Sequence, residues 1–196
     1  MTPLVVDLYH GNIVYDFAQV KAAGIVGVIH KASQGLSIVD GEYAARRPAV
    51  KAAGMLWGAY HFMSLDDPVS QAKHFLSVAD ADSQTLVCLD WETQQPSVEI
   101  ARAFLAEIQN ALNRSAVLYS GNVAKEQIQG NDPFFGAHRL WLAEYGPVPK
   151  VQESWKAPWL WQYSETGAIR GLKSPVDCST VPEGIDGGTI ASEWAS

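Results

Sequence analysis

An α/β barrel of about eight strands, irregular where it closes, is the fold class this sequence predicts. Three observations predict it. Strand-like and helix-like stretches alternate through roughly the first two thirds of the 196 residues, a pattern that leads to a parallel sheet or barrel. In the last third, three strand-like stretches follow one another across short intervals rich in Pro and Gly. Finally, the strands end on polar or aromatic residues, as the working rim of a barrel would.

Taken in order, "LVVDLY" (4–9) reads as the first strand, and Asp16 caps a short helix, "FAQVKAA", that stops at Gly24. "VGVIHKA" (26–32) is the second strand. A helix near 41–53 ends at Gly54, with Pro48 implying a kink or a late start. "WGAYHFM" (57–63) is the third strand, after which Asp67 and Pro68 supply an N-cap and a first-turn proline for "VSQAKHFLSVA". "TLVCLDWE" (85–92) is the fourth. Ser97 opens the longest helix, in which Ile100, Phe104, Ile108 and Leu112 recur every four residues and Glu99 lies near the positive end. "AVLYSG" (116–121) is the fifth strand, with a helix near 122–128. "LWLAEY" (140–145), "WLWQYS" (159–164) and "VDCS" (176–179) complete the set. A parallel return needs a dozen or more residues, usually with a helix. The two intervals between these last strands look too short and too broken for that, so a partly antiparallel close is expected. The chain is also shorter than the ~250 residues of a regular eightfold barrel. No domain boundary is visible, and residues 1–196 are read as one domain.

Composition narrows the function. A net charge of −7 and a scattering of fourteen Lys and Arg argue against a nucleic-acid partner. The pair Arg46–Arg47 reads as a solvated helix face. No apolar run approaches the ~20 residues of a membrane span. "PLVVDLY" is already a strand, so no signal peptide is read. The two cysteines, Cys88 and Cys178, lie in apolar strands and suggest buried thiols, neither a disulfide nor a zinc site. No cofactor or metal is expected: His10, His30 and His61 could join Asp7 and Asp90 in a metal-dependent hydrolase, but they lack metal-binding spacing.

The strand ends carry Asp7, His30 and Lys31, Tyr60 and His61, Asp90 and Glu92, Tyr119, Glu144 and Tyr145, Gln162 and Tyr163, and Asp177. Side chains two apart on a strand face the same way, so Asp90 and Glu92 share one surface. If that surface is the barrel mouth, burial and mutual repulsion raise their affinity for protons, and one acid stays protonated beside an ionised neighbour. Glycosidic cleavage uses that pairing. Alternatively, the pair is a solvated strand end, salt-bridged to Lys31. Asp7 and Asp177, on the first and last strands, become neighbours when a barrel closes and would add two acids to the same mouth. Seven Trp and seven Tyr suit a sugar-binding surface, with Trp57, Trp141, Trp159 and Trp161 on or beside strands; core filling is the competing role, favoured for Trp57 and Trp159.

In order, "VVDLYHGN", "VIHKASQG", "AAGMLWGAYHF", "CLDWE", "VLYSG", "LWLAEYG" and "WLWQYSETGAIRGLKSPVDCS" resemble the blocks of family-25 glycoside hydrolases, the Chalaropsis-type lysozymes. The resemblance runs from about residue 4 to residue 180. It implies a flattened, irregular β/α barrel and hydrolysis of the β-1,4 bond between N-acetylmuramic acid and N-acetylglucosamine in bacterial peptidoglycan; a monomer and a retaining mechanism are expected, with substrate-assisted and inverting routes open. It further implies Glu92 as general acid, Asp90 as nucleophile or as the group orienting the substrate's acetamide, and Asp7 and Asp177 as the acids completing the site. Lys31, Tyr60, His61, Tyr119, Tyr145 and Gln162 are implied as sugar contacts, with a structural role equally open for His61. Leu8 and Tyr9 after Asp7, and Gln34 in place of an acid, depart from the usual blocks. Cytoplasmic synthesis with release to the wall, as for a phage lysin, or export by another route, would bring such a chain to its substrate. A non-catalytic glycan-binding domain and a chitinase-like glycosidase remain alternatives.

Overall fold

Alternating side chains divide every barrel strand between an inner and an outer face, and here both faces are covered. The computed structural model describes residues 1–182 and 187–196. In chain order it contains β1 (Val5–Leu8), α1 (Phe17–Ala22), β2 (Gly27–Gln34), β3 (Ile38–Val39), α2 (Tyr43–Ala52), β4 (Leu56–Phe62), α3 (Pro68–Ala79) and β5 (Leu86–Asp90). There follow α4 (Val98–Leu112), β6 (Val117–Ser120), α5 (Asn122–Gln127), α6 (Pro133–Gly136), β7 (Leu140–Ala143), β8 (Leu160–Gly167), β9 (Val176–Thr180) and α7 (Gly187–Glu193).

The expected irregular α/β barrel forms. Its eight strands run β1-β2-β4-β5-β6-β7-β8-β9 and close through a β9–β1 pairing, while the two-residue β3 is a flap on β2. Neighbours from β1 to β8 are parallel, and β9 alone is antiparallel to both its partners. The β7–β8 return therefore corrects the sequence reading, which took that interval as too broken for a parallel crossover. Residues 144–159 contain no helix, but they cover the barrel as a pinned irregular layer. Gln152 donates to the Ile128 carbonyl at 3.2 Å, and the Trp155 indole donates to the His138 carbonyl at 2.8 Å.

Local signals set the helix ends. Asp16 accepts from the Ala18 amide and Asp67 from the Ser70 amide, both at 2.8 Å, which satisfies donors that a helix start leaves free. Gly54, at φ +73°, turns the chain out of α2 in a conformation side chains resist. Pro48 lies inside α2 and does not delay its start. Arg46 and Arg47 also depart from expectation, since neither is a free, solvated charge. Arg46 is buried and donates to the carbonyls of Tyr9 and Asn12, at 2.9 and 2.7 Å, clamping the rim loop after β1. Arg47 donates to the Asp80 carbonyl at 2.8 Å.

Two apolar layers result. Outward residues such as Val28, Trp57, Val87 and Leu89 pack under the helices with Phe75, Phe104 and Ile108. Inward residues Val5, Ile29, Leu86, Cys88, Val117 and Leu160 fill the barrel. The amino-terminal mouth is plugged by Trp194, just after α7, an element the sequence reading did not anticipate. A Cβ at Gly27 would lie 2.7 Å from the Trp194 ring, so the absence of a side chain there admits the indole. Arg114 donates to the Ala195 carbonyl at 2.8 Å and Arg139 to the Ser196 carbonyl at 2.9 Å, fastening the C-terminal segment across this end.

Candidate active site

With the amino end plugged, the opposite rim is where polar side chains converge. Asp7 is the third residue of β1, and strand pairing sets it directly opposite Asp177. Asp177 is only the second residue of β9, yet it reaches the same rim because that strand runs the other way. Asp90 ends β5, and Glu92 follows two residues later on the same side. All four acids line one cup of about 230 Å³, with Lys31, Tyr60 and Tyr119. Tyr9, Phe62 and Trp141 complete its wall. Tyr9 and Phe62 lie two residues after Asp7 and Tyr60, so strand alternation carried the signal for both. Trp141 needed the β6–β7 register that sets it beside Tyr119, where the ring centroids are 4.5 Å apart.

The other proposed contacts divide. Tyr145 is exposed on an adjoining cavity of about 440 Å³, which shares Glu92 and Tyr119 with the cup and adds Asn122 and Glu144. Gln162 is buried behind the wall: its amide donates to Asp7 Oδ2 at 3.0 Å, and its oxygen accepts from the hydroxyls of Tyr119 and Tyr145 at 2.9 and 3.1 Å. It holds three rim side chains and borders neither cavity. His61 is corrected outright as a sugar contact. It is fully buried on the outer face of β4, between Ser33 Oγ at 2.9 Å and Gln71 Oε1 at 3.2 Å, and it stacks on Phe104. Burial lowers its pKa to about 4. The other candidate metal ligands disperse as well. His10 bonds Asp40 at 2.9 Å, and His30 is buried against Trp57. On the far side of the cup, Phe62 and Gln34 lead into a third cavity of about 390 Å³ with Ser64, Leu65 and Thr93. Larger cavities of about 590 and 740 Å³ lie elsewhere, but among the described residues no acidic side chain lines them.

Crowded acids leave the cup short of neutralising partners. Burial, then the charges of Glu92 and Asp7, hold the Asp90 carboxyl well above its ordinary range, with Lys31 opposing. Asp90 Oδ1 has no hydrogen-bond partner among the described residues. Burial and Asp177 likewise raise Asp7, while the Gln162 amide pulls the other way. A hydrogen bond from Asp7 favours the ionised form of Asp177, although burial leaves that acid raised overall. Glu92 is exposed at the rim, but the surrounding walls and Asp177 raise it, with Lys31 again opposing. The set thus retains protons on some carboxyls beside charge on others, the condition for acid catalysis next to an anion.

This tension has a stability consequence. A carboxyl whose folded pKa exceeds the unfolded value of about 3.9 contributes its full stability only below that value and loses it as pH rises through the folded pKa. At neutral pH, Asp90 therefore opposes folding. Asp90→Asn is expected to raise Tm at pH 7 by about 2–4 °C, equivalent to about 1 kcal/mol in a domain of this size. Calorimetry giving an unchanged or lower Tm would remove the argument for stored repulsion.

Comparison with known proteins identifies the family and the fold. The family model for glycosyl hydrolases family 25 matches residues 6–172. The autolytic lysozyme of Clostridium acetobutylicum is 29% identical over 194 residues, covering 94% of this chain and 58% of the relative. Lysozyme M1 of Streptomyces globisporus is 27% identical over 197 residues, covering 88% and 65% respectively. The chain thus spans about three fifths of the length of these relatives. A bacterial lysozyme structure from Streptomyces coelicolor superposes with a TM-score of 0.87 at 24% identity, covering 100% of both chains, which shows a shared fold.

Proposed function

The chain belongs to family 25 of the glycosyl hydrolases, and from that premise we propose that it is a peptidoglycan muramidase, cleaving the β-1,4 bond after N-acetylmuramic acid with net retention. One observation carries the reading: Asp7, Asp90, Glu92 and Asp177 line a single small cup walled by Tyr and Trp. Glu92 borders both the cup and the adjoining cavity. A general acid must sit at the bond it breaks, so a sugar in the cup and a leaving sugar beside Tyr145 would place the glycosidic oxygen at the Glu92 carboxyl. Its retained proton moves to that oxygen as the bond breaks.

Asp90 then faces the positive charge developing on the sugar in the cup. Its free Oδ1 can either attack the anomeric carbon or accept from the N–H of the substrate's own acetamide, and either route inverts twice. Tyr119 and Trp141, both buried, line the wall against which the sugar's C–H surface would rest. Asp7 and Asp177 share a hydrogen bond, which limits the charge that pair adds to the cup.

Digestion of purified bacterial peptidoglycan tests the assignment. The expected products carry N-acetylmuramic acid at the new reducing end, and the first-formed anomer, read by NMR, is β. Products reduced at N-acetylglucosamine, or faster release from chitin, would reject the muramidase in favour of another glycosidase.

A further inference from the structure

Lys31 brings a positive charge to the cup with no acid among the described residues at ion-pair distance. Its ammonium donates to Gln34 Oε1 at 2.7 Å and lies 4.8 Å from the centre of the Phe62 ring. Among the described residues it forms no ion pair, and it is the one basic side chain lining the cup. An amide accepts a hydrogen bond without cancelling charge, so the tether holds the ammonium in place at full strength. We propose that Gln34 is a positioning residue that fixes the undiminished charge of Lys31 over the cup and thereby sets the alkaline edge of hydrolysis.

The charge acts on both Asp90 and Glu92, which share the cup with Lys31, and its effect on Glu92 is the one that reaches the alkaline limb. The Glu92 carboxyl shares the cup with Asp177 from β9, Asp7 from β1 and Asp90 at the end of β5, and Asp177 when ionised favours keeping its proton. The phenols of Tyr60 and Tyr119 face it from β4 and β6 and stay neutral, being pushed well above their ordinary range. Across the adjoining cavity, Glu144 is ion-paired with Lys125. Lys31 is therefore the group that draws the Glu92 proton off, and without it the acid would remain protonated to higher pH.

The inference rests on Glu92 being the general acid, so its test includes a readout independent of turnover. Gln34→Glu keeps the side-chain shape and neutralises Lys31 with an ion pair; Lys31→Met deletes the charge. In both variants the Glu92 midpoint, followed by carboxyl ¹³C NMR, should rise. Peptidoglycan hydrolysis on the falling alkaline limb should be roughly three- to tenfold higher relative to each variant's own maximum. An unmoved Glu92 midpoint in Gln34→Glu overturns the proposal, as does a rate reduced by one constant factor at every pH. If the native chain releases no reducing ends while the midpoints still move, the muramidase reading fails and the electrostatic role of Gln34 stands.

Discussion

Glu92→Gln is expected to lose at least about 10³-fold in the rate of reducing-end release from peptidoglycan, with no loss of fold. The amide keeps the shape and polarity of the side chain but has no proton to deliver to the leaving oxygen, a step worth about 10²–10⁴ in rate. Upstream of that step nothing else changes: Tyr119, Trp141 and the remaining acids still shape the cup. Glu92 is exposed at the rim and makes no hydrogen bond to a described side chain, so its neutral replacement removes no structural contact. Circular dichroism should match the native chain, and Tm should not fall and should rise slightly at pH 7, because the variant also removes a charge that raises Asp90 and Asp7. Turnover within tenfold of native would assign the acid elsewhere, to one of the three deeper carboxyls. Asp90→Asn differs in degree, because its fully buried carboxyl is held further above its ordinary range and its neutral replacement gives the larger gain in Tm.

Trp194→Ala is expected to lower stability by about 3–5 kcal/mol, as for other buried large-to-small aromatic substitutions. For a domain of this size that corresponds to a fall in Tm of about 10 °C or more. Two effects add. The indole fills the amino-terminal mouth against Gly27, leaving a cavity when removed, and its Nε1–H donates to the Trp57 carbonyl at 2.7 Å, which would lose its partner. Trp159 packs against it with centroids 6.3 Å apart, and the Trp159 indole donates to Glu193 at 2.8 Å, so the damage extends to the helix that closes the end. The acid cup is at the other end of the barrel. Below the new Tm, the variant should therefore hydrolyse peptidoglycan at a near-native rate per folded molecule. A loss of less than about 1 kcal/mol in urea denaturation would show that the plug is dispensable.

Features decided within one turn or one strand are legible in the sequence. Asp16 and Asp67 cap the helices they were read to cap, since a cap is a bond between residues two or three apart. Asp90 and Glu92 share a face because a strand alternates, and the chain order of strands and helices follows from where apolar stretches break. The acids of the candidate site are legible for the same reason, as polar groups at strand ends.

Facing and direction were decided by the assembled barrel. Tyr60 and His61 are adjacent on β4, so only one can enter the cup; with both faces of a barrel strand buried, no polar face marks the outside, and the sequence leaves the choice open. The reversal of β9 brings Asp177 to Asp7, and the return of β8 parallel to β7 without a helix depends on contacts such as Gln152 to Ile128. Trp194 and Gly27 meet across nearly the whole chain. Short-range bonding is written in neighbouring letters, whereas closing a barrel selects among orientations of nearly equal local energy, and only the packed whole separates them.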